Sequence, residues 1–123
     1  MNDQKSIQIN EALLLLGCLE VPVQMGIGIY TAYKLTKEGL NVSVAGNEAV
    51  IKLLRVSDPD RVYVKKVLNL DRTIGDLVEK KINPGLCIVF AHNDAGISYA
   101  ATAAYIISGR LIVIIFGRNA ENM

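Results

Sequence analysis

Leu86-Cys87-Ile88-Val89-Phe90-Ala91 runs into His92-Asn93-Asp94, then into a charge-free stretch from Ala95 to Ser108, then into Leu111-Ile112-Val113-Ile114-Ile115-Phe116. The reading of this stretch decides the fold. From Ala95 to Gly117 it carries almost no charge and is long enough to imitate a membrane helix of ~20 residues. Ser108-Gly109-Arg110 divides it, however, into a first piece rich in Ala and a second rich in Ile and Val. The residue preferences on the two sides are those of a helix and of a strand. Leu86 to Ala91 shows no polar alternation, which is the pattern of a strand covered on both faces. Strand, helix and strand in succession predict parallel pairing, because the crossover helix returns the chain to the edge it left.

The same unit recurs upstream. Ala12 to Leu16 is a second uninterrupted apolar run, stopped by Gly17. Pro22 to Glu38 carries apolar and small residues at helical spacing (Val23, Ile27, Tyr30, Leu35, with Gly26 and Ala32). It ends in Lys34, Lys37 and Gly39, a basic last turn with glycine just beyond it. Val42 to Ala45 reads as a strand. Asn47 is placed to cap a helix from Glu48 to Arg55, ended by Ser57-Asp58-Pro59-Asp60. A short edge strand is expected at Val67 to Leu70. Asp71 is the expected cap of a helix from Arg72 to Lys81, closed by Asn83-Pro84-Gly85.

Strands alternating with helices, with central strands apolar on both sides, predict an α/β/α sandwich around a mainly parallel sheet of four or five strands. The crossovers are expected to be right-handed, and the Rossmann-like order 3-2-1-4-5 is favoured over the flavodoxin-like 2-1-3-4-5. The first and fourth strands are expected at the centre. Residues 1–10 are polar and read as a loose lead-in to a single α/β domain spanning 1–123.

Composition narrows the function. The chain has 123 residues, 51% hydrophobic and 20% charged, enough to build a core and too apolar for disorder. Its 13 Lys and Arg balance 12 Asp and Glu to a formal charge of +1, so no overall field draws in nucleic acid or an anionic membrane. With 2 Cys and 1 His it lacks the usual ligand set of a zinc or iron–sulfur centre, and no metal is expected. Two cysteines do not make a disulfide framework, which suits a cytoplasmic location. Leu15-Leu16-Gly17-Cys18 imitates a lipoprotein cleavage site, but Asp3 and Glu11 stand where a signal peptide has basic residues, and the apolar run is short. Asn41-Val42-Ser43 matches a glycosylation pattern but opens a strand.

In an open parallel sheet, ligands bind outside the carboxyl ends of the strands, where the strand order reverses. That rule gathers Cys18, Glu20, Gln24, Asn47, Glu48, Asp71, His92, Asn93, Asp94, Arg118 and Asn119. Gln24, Asn47, Asn93, Asp94 and Arg118 are the candidate ligand-binding residues. Cys18 precedes a helix start that lowers a thiol pKa, so it is the candidate nucleophile or sulfur carrier, with His92 as its acid or base. Asn47 and the Asn93-Asp94 pair equally suit plain helix capping. Cys87 lies within an apolar strand and reads as core. Gly26-x-Gly28 lies too far from Gly17 for a dinucleotide fingerprint and reads as a close-packing helix face. Phosphate-loop, nucleophile-elbow and zinc-protease signatures are missing. Helices 22–33 and 95–108 carry no charge, which predicts contact with a second copy or another subunit rather than with nucleic acid or membrane.

Gly17-Cys18-x-x-x-Pro22-Val23-Gln24, Asn47-x-Ala49, Asp58-Pro59, Asn93-Asp94-Ala95 and Ile114-Ile115-Phe116-x-Arg118 together resemble a small family of methanogenic archaea with no assigned activity. The likeness runs from about Leu13 to Arg118. It implies a compact α/β/α domain, an anaerobic cytoplasm and a role around methanogenic cofactors or their enzymes. Longer members of that family carry a further helix after the last strand. A fainter similarity is to the DsrE-like sulfur-relay proteins, whose thiol usually follows a later strand, where this chain has His92-Asn93-Asp94. The leading expectation is an accessory protein that binds a small anionic ligand, of unknown identity, or a partner subunit at the carboxyl edge. A Cys18 thiol enzyme or carrier and a purely structural subunit are the alternatives.

Overall fold

The computed structural model describes residues 9–17, 22–117 and 121. Its elements alternate: β1 (Glu11–Leu16), α1 (Pro22–Lys37), β2 (Asn41–Gly46), α2 (Glu48–Ser57), β3 (Lys66–Asn69), α3 (Leu70–Val78), β4 (Leu86–Ala91), α4 (Asp94–Ile106) and β5 (Arg110–Ile115). The strands form one sheet in the order β3-β2-β1-β4-β5. Every neighbouring pair is parallel. This is the favoured topology, a three-layer α/β/α sandwich of Rossmann-like order.

The two uninterrupted apolar runs occupy the middle of the sheet. β1 lies between β2 and β4, with Leu14 opposite Val44 on one side and Ile88 on the other. All of β4 is buried, as is β1 apart from Glu11. Alternate residues feed two cores. Leu14, Leu16, Val44, Ile88 and Phe90 pack with Met25 and Ala32 of α1 and Val50 and Leu54 of α2. Leu13, Leu15, Ala45, Cys87 and Val89 pack with Leu70 and Leu77 of α3 and Ala100 and Ala103 of α4. Helices α1 and α2 therefore cover one face and α3 and α4 the other. A sheet whose crossovers change direction after β3 must distribute its helices in this way.

Two local expectations are corrected. The cap of α3 is Asn69, whose Oδ1 accepts the Arg72 N–H at 3.0 Å, and the helix begins at Leu70 rather than after Asp71. Leu70 is 3% exposed, so starting the helix there buries a leucine that a later start would leave in the preceding strand. The two uncharged helices carry exposed side chains on their outer faces, which does not contradict the contact with a second copy or subunit expected of them. Tyr30 of α1 and Tyr105 of α4 are 63% and 92% exposed, and Ala101 and Ala104 face outward too. Glycine serves close packing at Gly28, where a Cβ would come 2.9 Å from Leu16 Cδ2, whereas Gly26 is exposed with nothing near it. No helix among the described residues is long and apolar enough to cross a membrane.

Candidate functional site at the switch point

The strand order reverses between β1 and β4, so their carboxyl ends flank the crevice where such folds hold ligands. β1 ends at Leu16-Gly17 and β4 ends at Ala91, with His92 and Asn93 leading into α4. The close approach of α4 to this edge depends on Gly96. A Cβ there would stand 2.8 Å from Ala91 Cα, inside any real contact distance. The end of β5 joins them. Gly117, at φ +99°, turns the chain past His92 so closely that a Cβ would lie 3.2 Å from His92 Cβ. The His92 ring is buried, 5.7 Å from the Phe116 ring centroid.

The predicted site residues differ in what the structure gives them to do. Asn47 and Asn93 are both helix caps: Asn47 Oδ1 accepts the Val50 N–H at 2.9 Å and Asn93 Oδ1 accepts the Gly96 N–H at 3.0 Å. Each satisfies a backbone donor that the first helical turn otherwise leaves unpaired. Each still has its amide NH₂ to offer. Asp94 is exposed in the first turn of α4, where its charge complements the helix dipole. Cys18 and Arg118 lie outside the described residues. Cys87 is core, as its strand position suggested, with burial pushing its thiol up to about 12.

Gln24 stands apart from all of these. It sits in the first turn of α1, is fully buried, and neither its Nε2 nor its Oε1 has a hydrogen-bond partner among the described residues. Side chains of a helix lean toward its N-terminus, and α1 starts on the side of the sheet where β1 ends. A buried amide left unpaired costs roughly 1–3 kcal/mol per group. The sequence shows Gln24 as a lone amide in an uncharged helix start. It does not show the burial.

Charge distinguishes the helix starts. α2, α3 and α4 carry Glu48, Asp71 and Asp94 in their first turns, while α1 carries no acidic residue there. The positive end of the α1 dipole is thus not offset by its own side chains. Among the described residues, no group of three or more His, Cys, Asp and Glu side chains is assembled that could hold a metal ion. Cavities bounded by described residues lie at the opposite, amino edge of the sheet. One of about 220 Å³ and one of about 370 Å³ share Glu11, Ser43 and Lys66 as lining residues.

A three-layer α/β/α sandwich around an all-parallel sheet in the order β3-β2-β1-β4-β5 belongs to the class of small Rossmann-like proteins. Within that class, the chain belongs to the family described as "Domain of unknown function (DUF1890)", which matches residues 13–123. It is 38% identical to "Uncharacterized protein MJ0452" of Methanocaldococcus jannaschii over 106 residues, covering 86% of this chain and 70% of that protein. It is also similar to a solved structure, "Structure of MT0777", at 38% identity and a TM-score of 0.82, over 91% of this chain and 72% of that one. The expected archaeal family is therefore the right one. None of these relatives carries a link to the DsrE-like proteins.

Proposed function

We propose that this protein is an accessory, non-catalytic binder of a small anionic ligand, held at the switch point between β1 and β4. The observation that carries the reading is Gln24 in the first turn of α1, whose buried amide has both of its polar atoms unpaired among the described residues. A ligand entering there completes that amide: an oxygen of the ligand accepts from Nε2 and a hydroxyl or N–H of the ligand donates to Oε1. The start of α1 favours negative charge on the ligand, since the free N–H groups of a helix start attract anions and the first turn of α1 carries no acidic residue. In this reading Arg118 pairs with the anion, the free amide groups of Asn93 and Asn47 give further hydrogen bonds, and Asp94 stays at the solvent rim. A relative from Methanocaldococcus jannaschii supports a metabolite of an anaerobic cytoplasm as the ligand class.

The test is the intact mass of the anaerobically purified chain under native and denaturing conditions. A bound small mass that disappears on denaturation is expected, and it should be lost from Gln24→Leu. That substitution removes an unpaired amide, so the fold should lose no stability. A wild-type chain carrying no bound mass would remove the ligand reading. An addition of ~32 Da that dithiothreitol takes away would instead favour the alternative of a sulfur-carrying Cys18 thiol, with His92 as acid or base.

A further inference from the structure

The two edges of the sheet are built differently. β3, at one edge, has 4 residues and is opened by the exposed Lys65-Lys66 pair. Short strands and lysines are how proteins keep a sheet edge from pairing. β5, at the other edge, has 6 residues and no charge after Arg110, and leaves Ile112 and Ile115 exposed at 47% and 43%. Among the described residues no strand pairs with its outer side.

The backbone orientation of β5 fixes what that side can accept. Arg110 N–H donates to Gly85 O at 2.9 Å and Phe116 N–H to Ala91 O at 3.0 Å, so the even-numbered residues turn their N–H and C=O groups toward β4. Strand geometry then turns those of Leu111, Val113 and Ile115 outward. This set is symmetric about Val113. We infer that β5 pairs antiparallel with β5 of a second copy of this chain, about a two-fold axis at Val113, and so joins the two sheets into one. Val113 then faces the partner's Val113, and Leu111 faces the partner's Ile115, each facing pair exchanging both of its N–H···O bonds. Every outward backbone group is satisfied without a shift in register.

The side chains fit the same register. Ile112 faces the partner's Ile114 as a non-hydrogen-bonded pair, the closer of the two kinds, with Cα atoms about 4.5 Å apart. These residues project on the face of the sheet that carries α1, and Ile114 already packs against that core. The pair covers an isoleucine that is 47% exposed in the single chain. On the opposite face, the partner's Leu111 covers Ile115. A closed, isologous contact of this kind ends in a dimer instead of a filament. It does not depend on the switch-point ligand.

Sedimentation or light scattering on the full chain tests the pairing, and the expected mass is twice 13.4 kDa. Val113→Pro removes the central outward N–H but no bond to β4, because that N–H points away from β4. Ile112→Lys places like charges beside the axis. Both variants should run at the single-chain mass with the wild-type far-ultraviolet circular dichroism. Should Val113→Pro fail to fold, Ile112→Lys decides alone. A wild-type chain at the single mass throughout a dilution series would overturn the inference. So would folded variants that keep the doubled mass, which would move the contact to another surface, such as the uncharged helices.

Discussion

Gly96 lies directly against Ala91: a Cβ at position 96 would stand 2.8 Å from the Ala91 Cα and 2.9 Å from its Cβ. The obstacle includes backbone, which cannot swing aside as a flexible side-chain end can. Gly96→Ala therefore forces α4 away from the end of β4 and should destabilise the fold by about 1–3 kcal/mol, the usual range for overpacking. Urea unfolding measures it, as a lower midpoint at unchanged slope. Gly26→Ala, in open space on α1, is the control and should be neutral or slightly stabilising.

Asp58 organises the connection between α2 and β3. Its Oδ1 accepts the Val62 N–H at 2.8 Å, and its Oδ2 accepts those of Tyr63 and Val64 at 3.1 and 2.8 Å. The carboxylate is buried, so an amide in its place directs NH₂ at backbone donors that have no other partner. Asp58→Asn should cost roughly 1–3 kcal/mol of stability. Protection of the Val62 and Val64 amides from hydrogen exchange should fall with it.

Cys87 gives the fold a pH dependence at its alkaline limit. Burial raises its thiol from an ordinary value of 9.0 to about 12, so the folded chain keeps the proton that the unfolded chain loses first. Stability from this group is complete below pH 9. Above it the unfolded state binds fewer protons, and stability falls by ~1.4 kcal/mol per pH unit until the folded thiol titrates. Cys87→Ala should remove that slope. In Cys18→Ser, where Cys87 is the remaining thiol, labelling by a thiol reagent at pH 8 should wait for denaturant.

The architecture was legible because the burial of β1 and β4 is written in residue type alone. Leu13 to Leu16 and Leu86 to Ala91 leave no polar side for a solvent face, which places both strands inside the sheet. The start of α3 was not legible, since Asn69 and Asp71 are both good caps and only the tertiary burial of Leu70 chooses between them. The three N–H groups gathered by Asp58 come from a connection with no periodicity to betray it. At the carboxyl edge the same ambiguity recurs. Asparagine after a strand serves a helix cap and a ligand by the same atoms, so Asn47 and Asn93 look alike under either use. Only Gln24 separates the two uses, through a burial that depends on how α1 is set against the sheet.

Asn93 allows the capping and binding roles to be measured apart. Its Oδ1 is engaged by the Gly96 N–H at 3.0 Å, while its Nδ2 is the atom a ligand would use. Asparagine and aspartate cap helices about equally well, so Asn93→Asp keeps the cap and adds a charge that the start of α4 favours. Asn93→Ala loses the cap and should cost about 1 kcal/mol. If Asn93 only caps, the aspartate variant should match the wild type in unfolding midpoint and in any bound mass seen by native mass spectrometry. The proposed function predicts a different pair of results: an unchanged midpoint together with a lost ligand, because the donor has become an acceptor facing an anion. Retention of a bound mass by Asn93→Asp would confine this residue to α4 and leave Gln24 and Arg118 to hold the ligand.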